Sequence, residues 1–196
     1  MRTRTPRPGA ADAGLAPLAP RRKWRAIMLA TLVLAPAYWS LLVGVVSVAS
    51  DRRNAPGAGP FIAFGLVLVP FVFVALAFLS EHPRAPGATV RAMLLSLAVG
   101  IPVSALSSDA VSGFVAGIGA GGIAALRSDL DRAWRARALA ILIVTAWAFV
   151  TVRVVPEAAL FLAPVLPFTS LGVADHLLEI RRERRAAEGG RPGLPE

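Results

Sequence analysis

From Ala26 to Ala49 the chain runs for 24 residues without a charged side chain, and from Phe61 to Ser80 for another 20. A helix needs about 20 apolar residues to cross the hydrocarbon core of a bilayer. Within that core every backbone N–H and C=O must find its partner inside the segment, so an isolated apolar run of this length is helical. These two runs constrain the fold more than any other feature. The rest of the composition points the same way. Of the 196 residues, 56% are hydrophobic and 17% charged, against about 45–50% and about 25% in soluble domains. The expected fold class is all-α: a polytopic membrane helix bundle.

Six short spans are expected, at about 26–49, 61–80, 88–107, 110–126, 138–155 and 158–174. The fourth and sixth, at about 17 residues, sit at the lower limit for a crossing. A competing arrangement has four spans plus a re-entrant hairpin over 88–126. Basic residues are retained on the cytoplasmic side. With six spans and a cytoplasmic N-terminus, 18 of the 21 Lys and Arg residues fall inside. Merging the third and fourth spans into one would place 11 of the 21 outside, which rejects five crossings. Residues 1–22, rich in Pro, Ala and Arg, read as a disordered basic cytoplasmic tail. Residues 177–196 read as a second basic cytoplasmic tail. The first run is too long for a signal-peptide core of about 7–15 residues, so it reads as a retained span. The turns at 107–109 and 153–157 are short, which leaves almost no mass outside the membrane.

The segment "SGFVAGIGAGGIAAL", Ser112–Leu126, contains a formal G-x-G-x-x-G at Gly117, Gly119 and Gly122. A dinucleotide fingerprint needs a preceding strand and an acidic residue about 20 positions on. Neither is present. On a helix at about 100° per residue, Gly113, Gly117 and Gly121 fall at about 0°, 40° and 80°. Most bulky residues take the opposite arc. Helices in lipid gain nothing by hiding apolar surface from equally apolar tails; close backbone approach and polar bonds hold them together. Gly113, Gly117 and Gly121 are therefore expected to form a helix-packing stripe, against another span of the same chain or against a second copy.

"PAYWS", Pro36–Ser40, places Tyr38, Trp39 and Ser40 at mid-depth in the first span, away from the headgroup level where Tyr and Trp usually anchor. Pro36 also frees a carbonyl one turn earlier, at Leu32. Two readings follow: Tyr38 or Ser40 repairs the freed backbone, or the residues form a polar notch in a cavity wall with Thr145 and Trp147. Asp109 reads as the N-cap of the fourth span, or as a cation site at an outer mouth. Glu81–His82 and Asp175–His176 could meet at the cytoplasmic ends, but adjacent pairs lack helical ligand spacing, and no metal is expected there. With no cysteine in the chain, zinc–thiolate sites and disulfides are excluded. No H-E-x-x-H, G-x-S-x-G or P-loop occurs, which disfavours an enzyme. No acid or histidine lies at the centre of a span, which disfavours a proton pump. No cofactor is expected.

With "VAGIGAGGIAALR" and "PFTSLGVAD" both placed in spans, the chain resembles the uncharacterised small multi-spanning membrane proteins of GC-rich Gram-positive (actinobacterial) bacteria. The resemblance covers residues 24–185 loosely and implies a multi-pass location in the plasma membrane. It implies no activity and carries over no site residues. The net charge of +9 then reads as topology and attraction to anionic headgroups at the Arg-rich flanks, not as nucleic-acid binding. The expected role is a structural or accessory subunit that packs through the glycine-rich helix, with a membrane-protein partner or a second copy. The alternative is a small-solute transporter or channel with a cavity near the kinked first span.

Overall fold

The computed structural model describes residues 18–50, 58–127 and 134–189. The expected tail over 1–17, the outer loop at 51–57, most of the basic turn after Arg127 and the extreme C-terminus lie outside the described residues. What is described is all-helical. Seven helices follow in order: α1 (Pro20–Ser50), α2 (Ala58–Leu79), α3 (Ala85–Ser107), α4 (Ala110–Ala125), α5 (Trp134–Val154), α6 (Pro156–Leu162) and α7 (Leu166–Gly189).

Each boundary has a local cause. Pro20 opens α1 because its fixed φ suits the first helical position. Residues 20–22, expected in the disordered tail, are therefore helical, which corrects that boundary. Their helix is held at this end by partners on α2 and α7, described below. At the end of α2, Glu81 takes a left-handed φ of 54°, and the His82 N–H donates back to the Ala77 carbonyl at 2.9 Å. Such a reversal satisfies terminal carbonyls that have no partner within the helix. Pro86 stands in the first turn of α3. Ser108, also at φ 54°, closes α3, and Asp109 opens α4 one residue later.

Four helices, α1, α2, α3 and α5, are long and apolar enough to cross a membrane. The other two expected spans differ. α4 has 16 residues, just short of the usual crossing length. The sixth span is not one helix but two: α6 and α7 meet at a bend of 84°. Proline explains the break. Pro164 and Pro167 remove two N–H donors within four residues, so the α-ladder cannot run through. A single turn, Val165 N–H to the Leu162 carbonyl at 2.8 Å, bridges the gap. Pro36, Pro70 and Pro102, by contrast, sit inside continuous helices. Six short spans thus become seven helices, one of them 31 residues long.

α4 occupies the middle of the bundle, packed by α2, α3, α5 and α7. Of its 16 residues, 12 are buried. The main core gathers Ile27 and Leu34 of α1, Phe73 and Leu76 of α2, Ile123 of α4, and Phe168 and Leu171 of α7. The outside is apolar as well. On α3 the small residues Ala88 and Ala92 turn inward, while Leu94, Leu97 and Ile101 are 63%, 57% and 65% exposed. In water such a surface would be an association hazard. Against lipid tails it costs nothing, and small residues belong on the protein side.

Candidate functional site

The glycine stripe of α4 faces α3. A methyl group on Gly117 would lie 2.6 Å from the Ser96 carbonyl oxygen and 3.0 Å from the Gly100 Cα. One on Gly113 would lie 2.7 Å from the Gly100 carbonyl oxygen, and one on Gly121 2.7 Å from that of Ala92. At Gly117 the obstacles are all backbone atoms of α3; Gly113 also meets the Ser104 Cβ of α3, and Gly121 also meets the Phe73 ring of α2. The partner of the stripe is thus a helix of the same chain. α3 carries the matching face: Ala92, Ser96, Gly100 and Ser104, each four residues from the next. That second stripe was readable in the sequence by the same helical spacing and was missed. The remaining α4 glycines serve other neighbours. Gly119 abuts Val144 of α5, and Gly122 abuts Phe168 and Leu171 of α7. Gly117, Gly119 and Gly122 all lie within one helix and form no phosphate loop.

The "PAYWS" residues meet the broken helix. Tyr38 is 4% exposed, and its hydroxyl donates to the Leu160 carbonyl of α6 at 2.8 Å. α6 is short and stops abruptly, leaving terminal carbonyls that need donors. Tyr38 supplies one, instead of repairing the backbone freed by Pro36. Its ring lies 5.2 Å from that of Phe114 on α4, and Trp39 lies 5.7 Å from Phe161 on α6. Ser40 is half-buried. Trp147 is 52% exposed on α5, and its ring has no aromatic partner among the described residues. Asp109 caps α4: its carboxylate accepts from the N–H groups of Val111 at 3.1 Å and Ser112 at 2.8 Å. Tyr38 and Trp39 therefore form an aromatic clamp on α6, and Asp109 serves as a helix cap.

At the opposite end of α1 the charges are gathered. Lys23 Nζ donates to Asp175 Oδ2 of α7 at 2.8 Å, with Glu179 Oε2 at 3.7 Å. The Lys23 and Asp175 side chains are only 7% and 4% exposed. Arg22 pairs with Glu81 at the end of α2 across an exposed surface. Ser80 Oγ accepts from the Arg127 N–H at 3.0 Å, tying the end of α2 to the end of α4. His82 Nδ1 accepts from the Arg84 N–H at 3.1 Å. Thus Glu81 and Asp175 answer cations of α1, and His176 stays on the surface. Among the described residues no three His, Cys, Asp or Glu side chains stand where they could hold a metal ion. Sequence reasoning missed the buried pair. The available signal was that Lys23 is the one lysine among 21 basic residues.

Comparison with protein-family models, with curated proteins and with solved structures gives no match for this chain.

Proposed function

We propose that the chain is a multi-pass protein of the cell membrane with a structural or accessory role, both termini facing the cytoplasm. The observation that carries this reading is where the interior polar groups are spent. Tyr38, Asp109, Lys23, Asp175 and Ser80 all bind other parts of the same chain. That is the pattern of a scaffold, since a catalytic or transport site keeps convergent polar groups for its ligand. Because α3 covers the glycine stripe, a partner would meet the lipid-facing flanks or the basic C-terminal helix instead.

Copurification tests it. The full chain, crosslinked in membranes and extracted in mild detergent, should carry a stoichiometric membrane partner or a second copy. Arg181→Gln with Arg184→Gln should weaken that association if the basic helix takes part. A chain that emerges alone and monomeric, with and without crosslinking, overturns the accessory role. A chain that is monodisperse without surfactant overturns the membrane reading itself.

A transporter or channel is the second reading, and one observation favours it. The 84° break between α6 and α7, held by Tyr38, has the form of the discontinuous helices that flank substrate sites in transporters. Under this reading Tyr38→Phe with Ser40→Ala abolishes solute flux. Under the first it leaves the complex intact.

A further inference from the structure

The four cations at the start of α1 divide by face. Arg22 and Lys23 turn toward the protein, where Glu81, Asp175 and Glu179 receive them. Arg21 and Arg25, one helical turn apart, turn away. Both are exposed, and neither guanidinium has an ion pair among the described residues. Directly along the same face come Met28, Leu29 and Leu32, which are 69%, 40% and 70% exposed. Trp24 stands beside them, half-buried, with its indole edge against Gly172 of α7. Pro20, Arg21, Trp24, Arg25, Met28 and Leu29 line an open groove of about 630 Å³. The groove is shallow and lined almost wholly by carbon, with the two guanidinium groups at its rim.

We propose that this face seats one anionic phospholipid, its phosphate at the rim between Arg21 and Arg25 and an acyl chain in the groove and along Met28, Leu29 and Leu32. The inference rests on the membrane-spanning reading above. Three features select the occupant. Guanidinium groups bind phosphate oxygens through paired N–H donors. An indole at this height matches the interfacial position that tryptophan prefers. The apolar part continues seven residues beyond Arg25, about 10 Å at 1.5 Å per residue, which carries it down into the hydrocarbon. A soluble acidic peptide or a free phosphate could reach the arginines but would leave that lower surface uncovered. A molecule with an anionic head and an apolar tail fits both halves at once. The segregation matters too: the paired cations are consumed in folding, and the two left over share one face within one helical turn.

The test uses the full chain in mild detergent, titrated with phosphatidylglycerol or phosphatidylcholine and read by native mass spectrometry. The wild-type chain should retain one phosphatidylglycerol in preference to phosphatidylcholine. Arg21→Gln with Arg25→Gln should weaken that retention on the order of 30-fold, from the loss of two headgroup-level cations. Arg181→Gln with Arg184→Gln, the same charge change on α7, should weaken it less than about threefold. An unchanged thermal midpoint shows that the variants are folded, as expected for exposed side chains. Three results overturn the proposal: no preference for phosphatidylglycerol, an equal loss in the α7 variant, or displacement of the lipid by millimolar inorganic phosphate. None of these touches the membrane reading, which fails separately if the chain stays dissolved without detergent.

Discussion

Lys23 is the only lysine in the chain, and its ammonium lies almost out of water against Asp175. Removing two charges from water is costly, and the pair is tolerated only because each satisfies the other. Breaking it from one side is therefore worse than never having it. Lys23→Met should destabilise the folded protein by about 3–5 kcal/mol, read as a fall in thermal midpoint in detergent. Lys23→Met with Asp175→Leu should recover part of the loss, since no buried carboxylate is then stranded. Equal midpoints for the single and double variants would show that the ion pair is not what couples α1 to α7. Asp109 makes a second residue-level case. If it only caps α4, Asp109→Asn should be nearly silent and Asp109→Ala should cost about 0.5–2 kcal/mol. A large effect of Asn on function, with stability intact, would instead point to a carboxylate that binds a cation. The cap was legible in the sequence because capping is local: Ser-Ser-Asp stands just before an apolar helix. The pairing of Lys23 was not legible, because its partner lies 152 residues away and nothing in a single sequence fixes such a contact.

Among the elements, α4 shows what glycine does in a bundle that apolar burial alone cannot hold together. Its backbone approaches that of α3 so closely that one methyl group forces the helices apart. Gly117→Ala should cost about 1–3 kcal/mol, the usual range for overpacking. Gly87→Ala, on the open side of α3 with nothing within 4 Å, should be neutral or slightly stabilising. Thermal scanning of the two purified variants checks the contrast, and equal midpoints would show that the α3–α4 seam is not tight. The stripe on α4 was visible because the four-residue spacing of Gly113, Gly117 and Gly121 needs no knowledge of the partner. The break between α6 and α7 was not visible. Proline recurs within α1, α2 and α3 without ending them, so proline alone does not locate a break. Two prolines three residues apart, Pro164 and Pro167, with a tyrosine from another helix receiving the loose end, do. Tyr38→Phe removes that donor. The expected cost is about 0.6 kcal/mol and at most about 1.7 kcal/mol, as for hydrogen bonds between helices in membranes. Such a loss should show less in global stability than in faster proteolysis near residues 160–165.

For the whole molecule, the contacts show which helix ends lie together on one side. Lys23 with Asp175, Arg22 with Glu81, and Ser80 with the Arg127 N–H bring the start of α1, the end of α2, the end of α4 and the later part of α7 to one end. Ser50 and the 107–109 turn lie at the other ends of α1 and α4, and the 153–157 turn joins α5 to α6. The tied end also holds Arg21, Arg25 and Arg84, and basic flanks are the ones retained in the cytoplasm, so under the proposed threading this is the inner end. A chain without cysteine allows a direct check, since each introduced thiol is the sole target. Ser50→Cys, Ser108→Cys and Glu157→Cys should react with a membrane-impermeant maleimide in intact cells. Arg84→Cys and Arg181→Cys should react only after permeabilisation. α4, too short to cross an undistorted bilayer unaided, is the element this experiment tests hardest. If Ser108→Cys stays protected in intact cells while Ser50→Cys and Glu157→Cys label, then α3 and α4 turn back within the membrane and only four crossings remain.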